Sequence, residues 1–152
     1  MLVYRIALTK YAGSLSASGR AARWNPNEVE MIYTASSRSL ACLENVVHRT
    51  QLGLNNLFNV MTIDVPHECA IEKIMLKDLP ADWKTFGQQP LTQSIGARWV
   101  NQKQSPVLQV PSAIIDGEIN FLLNPLHADF EKIKLIKTEP FVFDSRIKSN
   151  DL

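Results

Sequence analysis

The sequence predicts a single α+β domain, with a mixed or antiparallel β core and flanking helices. Three observations carry this. Apolar runs of strand length outnumber amphipathic helical stretches, and the two do not alternate as a doubly wound parallel sheet requires. At 152 residues the chain is long enough to bury one core without staples. No internal repeat, low-complexity tract or linker divides it, so 1–147 reads as one domain and 148–152 as a frayed tail.

Leu2 to Leu8 opens as a strand, with Val3, Arg5 and Ala7 on one face and Leu2, Tyr4, Ile6 and Leu8 on the other. Arg5 is then either an edge-strand arginine in water or a guanidinium on a pocket floor. Ser14 to Glu30 is a loop by composition, rich in Ser, Gly, Asn and Pro. Within it Arg23 adjoins Trp24. A guanidinium fork suits bidentate contacts to phosphate or carboxylate, although Trp24 could equally plug the core and leave Arg23 solvated. Met31 to Ala35 is a short strand whose Tyr33 is either a core residue with a satisfied hydroxyl or a stacking wall for a planar ligand.

Ser37 to Leu54 reads as an amphipathic helix with Leu40, Leu43, Val47 and Leu54 along one face. Ser37 or Ser39 caps its start and Gly53 stops it. Glu44 falls on the shoulder of that stripe, where a carboxylate is either solvated or turned into a cleft. Leu57 to Val65 is a strand closed by Pro66, and Glu72 to Leu76 a weaker one. The loop Leu79 to Pro90 carries Trp83 and Phe86 as a packed cover. Thr92 to Gln102 is a second helix, with Ile95, Trp99 and Val100 inward, broken by Ser105-Pro106. Val107 to Val110 is a strand that leaves Ser112 at its end, a common place for cleft-facing side chains. Asn120 to Leu123, Ile133 to Lys137 and Phe141 to Phe143 complete the strands.

A formal net charge of +1 gives no electrostatic case for nucleic acid or an anionic membrane. Cys42 and Cys69 match no metal-ligand spacing, and His48, His67 and His127 are scattered, so no metal site is expected. Two separated cysteines favour a reducing compartment. The start MLVYRIAL is too short and too soon charged for a signal peptide or spanning helix. A cytoplasmic protein is the simplest expectation. Dinucleotide, phosphate-loop, zinc-protease and nucleophile-elbow motifs are all missing from the sequence.

What the first third does offer is Arg5, Arg23, Tyr33 and Glu44 on successive elements, with Ser112 later. This collection resembles the RES domain, the toxin half of RES–Xre toxin–antitoxin pairs. The likeness rests on YRI at Tyr4 to Ile6, ARWN at Ala22 to Asn25, IYTA at Ile32 to Ala35 and SLACLE at Ser39 to Glu44. It continues through VPSA at Val110 to Ala113 and NFLLNPLHADF at Asn120 to Phe130. The chain departs from the family pattern at Ala22 and Glu28, where glycine is usual, which alters the loop's backbone.

The resemblance implies a fold similar to diphtheria-toxin-type ADP-ribosyltransferases, with NAD as substrate and no separate cofactor. It implies a catalytic set of Glu44, Tyr33 and Arg5, and NAD contacts from Arg5, Arg23, Tyr33 and Ser112. Asn120 and Asn124 lie in a family motif and are given a structural role only. The implied activity is cleavage of the nicotinamide–ribose bond by hydrolysis or phosphorolysis, arresting growth. Transfer of ADP-ribose to a protein is the alternative, and a non-catalytic binding module a second one. The implied partner is an Xre-type antitoxin occluding the active site, docked on an exposed apolar patch for which Trp83 and Phe86 are the candidates. Self-association as a homodimer is compatible with this.

Overall fold

The computed structural model describes residues 1–48 and 57–147. Its strands are β1 (Leu2–Leu8), β2 (Ile32–Ala35), β3 (Phe58–Asp64), β4 (Ile71–Lys73), β5 (Val107–Pro111), β6 (Ile119–Leu123) and β7 (Lys134–Phe141). They form one seven-stranded sheet in the order β4-β5-β6-β2-β1-β3-β7. Only the β4–β5 pair is parallel, so the sheet is mixed, as the irregular order of strand and helix signals predicts. The α+β expectation holds.

Alternation along the strands divides the side chains between two faces. One carries Val3, Ile32, Met61, Ile63, Val107, Phe121 and Leu123, covered by loop residues such as Ala12 and Leu15. The other carries Leu108, Val110 and Leu122 beneath Trp24, Trp83, Trp99 and Val100. Farther along that second face, Ile6, Ala35 and Val60 pack under Leu40 and Ala41. Both helices, α1 (Arg38–His48) and α2 (Gln89–Gln102), therefore lie on the same side of the sheet.

Several boundaries differ from the sequence reading. Ser37 does cap α1, its Oγ accepting from Leu40 N at 3.1 Å; the expected stop at Gly53 and the contact of Leu54 lie outside the described residues. The inward face of α1 is rotated from the one expected, with Leu40 and Ala41 buried while Leu43 and Val47 are exposed. Helix α2 begins at Gln89, because Pro90 is compatible with a first helical turn. The last two expected strands are one, since β7 is an edge strand and accommodates Pro140. Of the proposed cover, Trp83 is buried against Trp24, with ring centroids 5.9 Å apart, but Phe86 is 85% exposed.

Candidate active site

Strand β1 registers with β2 at a single pair, Tyr4↔Ala35, whereas β2 registers with β6 along its whole length. The sheet splits beside that pair. A cavity of about 440 Å³ occupies the region between the split and α1, within the range of roughly 300–1,000 Å³ typical of small-molecule sites. Arg5, Arg23, Tyr33 and Glu44 all line it, together with Asn45, His48 and Asn120. Four of the five residues singled out from the sequence thus meet around one space.

Glu44 sits on the inward side of α1, one turn after Ala41 and one before His48, and is half-buried. Its Oε1 accepts from Asn120 Nδ2 at 2.6 Å and from Ser112 Oγ at 3.2 Å. Ser112 Oγ in turn accepts from Ile114 N and Ile115 N, both at 3.1 Å. With those two amides on its lone pairs, the hydroxyl has its one proton left for Glu44. Ser112 is buried and is not a cavity-lining residue; it stands behind the carboxylate. The register Val110↔Asn120 of the β5–β6 hairpin brings both donors to one oxygen. Among the described residues Oε2 has no hydrogen-bond partner, so within them Oε1 alone is anchored.

Tyr33 meets the first reading made of it, a strand tyrosine with a satisfied hydroxyl, and it also lines the cavity. Its hydroxyl donates to Asn25 Oδ1 at 2.6 Å and accepts from Trp24 N at 3.0 Å. Burial, foremost, raises its phenol well above the ordinary tyrosine range, so it stays a neutral donor. Asn25 is a hub: its Nδ2 also reaches Arg20 O, Pro26 O and Val29 O at 2.8, 3.1 and 2.9 Å. Tyr33 therefore ties the irregular Arg20–Val29 stretch to the sheet.

Arg23 donates from Nη1 to Trp83 O at 3.3 Å, and its guanidinium carbon lies 5.7 Å from the centroid of the Trp83 ring. Arg5 is on an interior strand, not an edge, so the solvated alternative falls. It shares the face of Val3 and Ala7, and its Nη1 donates to Ser16 O at 2.9 Å. Burial lowers its pKa, yet an arginine keeps its charge. The residues lining the cavity thus include one fixed carboxylate and two arginines, a set suited to an anionic ligand that develops positive charge at one atom.

Sequence reasoning gave Asn120 a structural role, whereas it lines the cavity and holds Glu44. Asn45 and His48 were not singled out as site residues. Their positions one residue and one turn after Glu44 were the available signal. For Asn120 the signal was a hairpin register that a single sequence does not contain.

A match to the RES domain covers residues 2–144. The chain is 36% identical over 146 residues to "Prs ADP-ribosylating toxin" of Sphingobium sp., covering 93% of this chain and 91% of that protein. It is 37% identical over 153 residues to "Toxin Res" of Photorhabdus laumondii subsp. laumondii, covering 97% of each. Its fold is similar to a chain in the crystal structure of the M. tuberculosis MbcT–MbcA toxin–antitoxin complex, with a TM-score of 0.73, 19% identity and coverage of 93% of this chain and 84% of that one.

Proposed function

The chain belongs to the RES domain family, and on that premise we propose that it is the toxin of a toxin–antitoxin pair and acts on NAD by breaking the nicotinamide–ribose bond. The observation that carries this is the Glu44 carboxylate, fixed by Asn120 and Ser112 on the wall of a cavity that Arg5, Arg23 and Tyr33 also line.

The chemistry follows from those groups. The carbon–nitrogen bond breaks through an oxocarbenium-like transition state, and nicotinamide leaves with the electron pair as a neutral base. No general acid is required. Negative charge beside the developing cation is required, and the anchored Glu44 supplies it while its other oxygen accepts from a ribose hydroxyl or orients an incoming nucleophile. The two arginines offset the pyrophosphate charge and fix the dinucleotide, converting binding into orientation. Water as nucleophile gives ADP-ribose; phosphate gives ADP-ribose 1″-phosphate.

Similarity to a protein named as an ADP-ribosylating toxin favours a second reading, in which a protein side chain is the nucleophile. For the partner, an Xre-type antitoxin that occludes the cavity agrees with the toxin–antitoxin complex of similar fold. Phe86, 85% exposed, stays a candidate for the docking patch and Val47, 56% exposed and lining the cavity, joins it, whereas Trp83 is buried and drops out.

Purified protein incubated with NAD, with and without phosphate, separates the readings by product. Glu44→Gln keeps an oxygen to accept from Asn120 and Ser112 but removes the charge, and should lower kcat by about 10²–10³-fold. Label transferred to a protein instead of small products would promote the second reading. NAD left intact with every acceptor would leave a binding module and sink the enzyme proposal. Expression of the chain alone should halt growth, and Glu44→Gln should be tolerated.

A further inference from the structure

The segment between β1 and β2 has no helix or strand around Arg23, yet α2 takes two successive carbonyls there by hydrogen bonds and abuts a third. Gln93 Nε2 donates to Ala22 O at 2.9 Å. Thr92 Oγ1 donates to Arg23 O at 2.5 Å, in preference to Gln89 O at 3.1 Å. At Gly96 the helix has no side chain, and a Cβ there would lie 1.8 Å from Trp24 O and 2.9 Å from Trp24 C. Those neighbours are backbone, so a methyl could be admitted only by moving the loop or the helix. Gly96 is the surface neighbour of both Thr92 (i, i+4) and Gln93 (i, i+3).

Helix α2 is itself immobilised. Trp99 and Val100 are buried, and Trp99 Nε1 donates to Ser105 Oγ at 2.9 Å. The Arg23 side chain is held from the same part of the chain, through Trp83 O and the Trp83 ring. Glu44, Asn120 and Ser112 make none of these contacts. We propose that α2, through Thr92, Gln93 and the bare backbone of Gly96, positions Arg23 for the anionic part of the ligand, so that binding and bond cleavage are set by separate parts of the fold. The identity of that ligand as NAD rests on the function proposed above.

Thr92→Val removes the donor at nearly constant volume, and Thr92→Ser keeps it. Thr92→Val should weaken NAD affinity about tenfold with kcat within twofold of the parent, and Thr92→Ser should restore affinity. In an Arg23→Ala background Thr92→Val should change affinity less than twofold, because the group it positions is gone. An equal loss in both backgrounds overturns the proposal. A ligand-free reading is the Arg23 Nε–H NMR resonance, which should move in Thr92→Val and Gly96→Ala and stay in Thr92→Ser. If that resonance is unmoved in the folded variants, α2 does not position Arg23, whatever happens to NAD. If it moves while the parent protein leaves NAD uncut and unbound, the positioning stands and the substrate assignment fails.

Discussion

At the scale of single residues, the site is defined by which hydrogen-bonding capacities are already used. Asn120 Nδ2 is 2.6 Å from Glu44 Oε1, and Asn120 Oδ1 is buried without a partner among the described residues. Asn120→Asp would put a second carboxylate at that position. Two carboxylates so close share one proton, raising one pKa strongly. The shared-proton pair keeps the wild-type charge and an O–H donor toward Glu44, so activity should survive at low pH. It should fall as pH rises through the upper pKa of the pair. The profile of kcat/KM from about pH 5 to 8 would carry this descending limb only in the variant; parallel profiles would mean that the two carboxylates of the variant do not share a proton. Tyr33 gives a second signed prediction. Its folded pKa is raised above the ordinary 10.0. Its stabilising contribution is therefore complete below pH 10.0 and is lost as pH climbs toward the folded value. Tyr33→Phe should flatten that alkaline decline in chemical denaturation. At neutral pH it should cost about 1–3 kcal/mol, because Asn25 Oδ1 and Trp24 N lose their partner.

At the scale of elements, legibility tracked how local the cause was. Strands β1, β2, β3, β5 and β6 were readable because their apolar runs and their Pro and Gly boundaries are written within a few residues. The orientation of α1 was not. A stripe of Leu40, Leu43 and Val47 marks the most apolar face, whereas the structure buries Leu40, Ala41 and Val46, leaves Leu43 and Val47 exposed, and lines the cavity with Ala41, Glu44, Asn45, Val47 and His48. The unusual Glu28 was also legible, and its meaning is now physical. Its φ is 70°, in the left-handed region that favours glycine, and its N–H donates to Gly19 O at 2.8 Å. The strain costs about 1–2 kcal/mol, and glycine adds back roughly 0.5–1 kcal/mol of chain entropy. Glu28→Gly should therefore stabilise by about 0.5–1 kcal/mol, raising Tm by roughly 1–4 °C by calorimetry. A lower Tm would show that the Glu28 side chain contributes more than its backbone costs.

At the scale of the whole molecule, the site is a product of topology. The chain enters β1, returns through β2 with only Tyr4↔Ala35 in register, and places β6 on the far side of β2. That order brings Glu44 to donors 68 and 76 residues away in sequence. No local pattern encodes such distances, which is why residue types were legible and the Asn120 contact was not. A cavity open at a split sheet also predicts how ligand and stability are linked. Glu44→Gln should bind NAD without consuming it, and a ligand at one hundred times its Kd adds about 2.7 kcal/mol to a folded state that alone binds it. For a chain of this size the gain corresponds to a Tm rise of roughly 5–10 °C. Both arginines act on the pyrophosphate in the proposed mechanism, so ADP-ribose should reproduce most of the rise and nicotinamide little of it. Arg23→Ala added to Glu44→Gln should remove most of the rise for NAD and ADP-ribose alike. A full shift from nicotinamide alone would place the anchoring energy at the carboxylate end of the cavity, and the arginines would then serve the fold instead of the ligand.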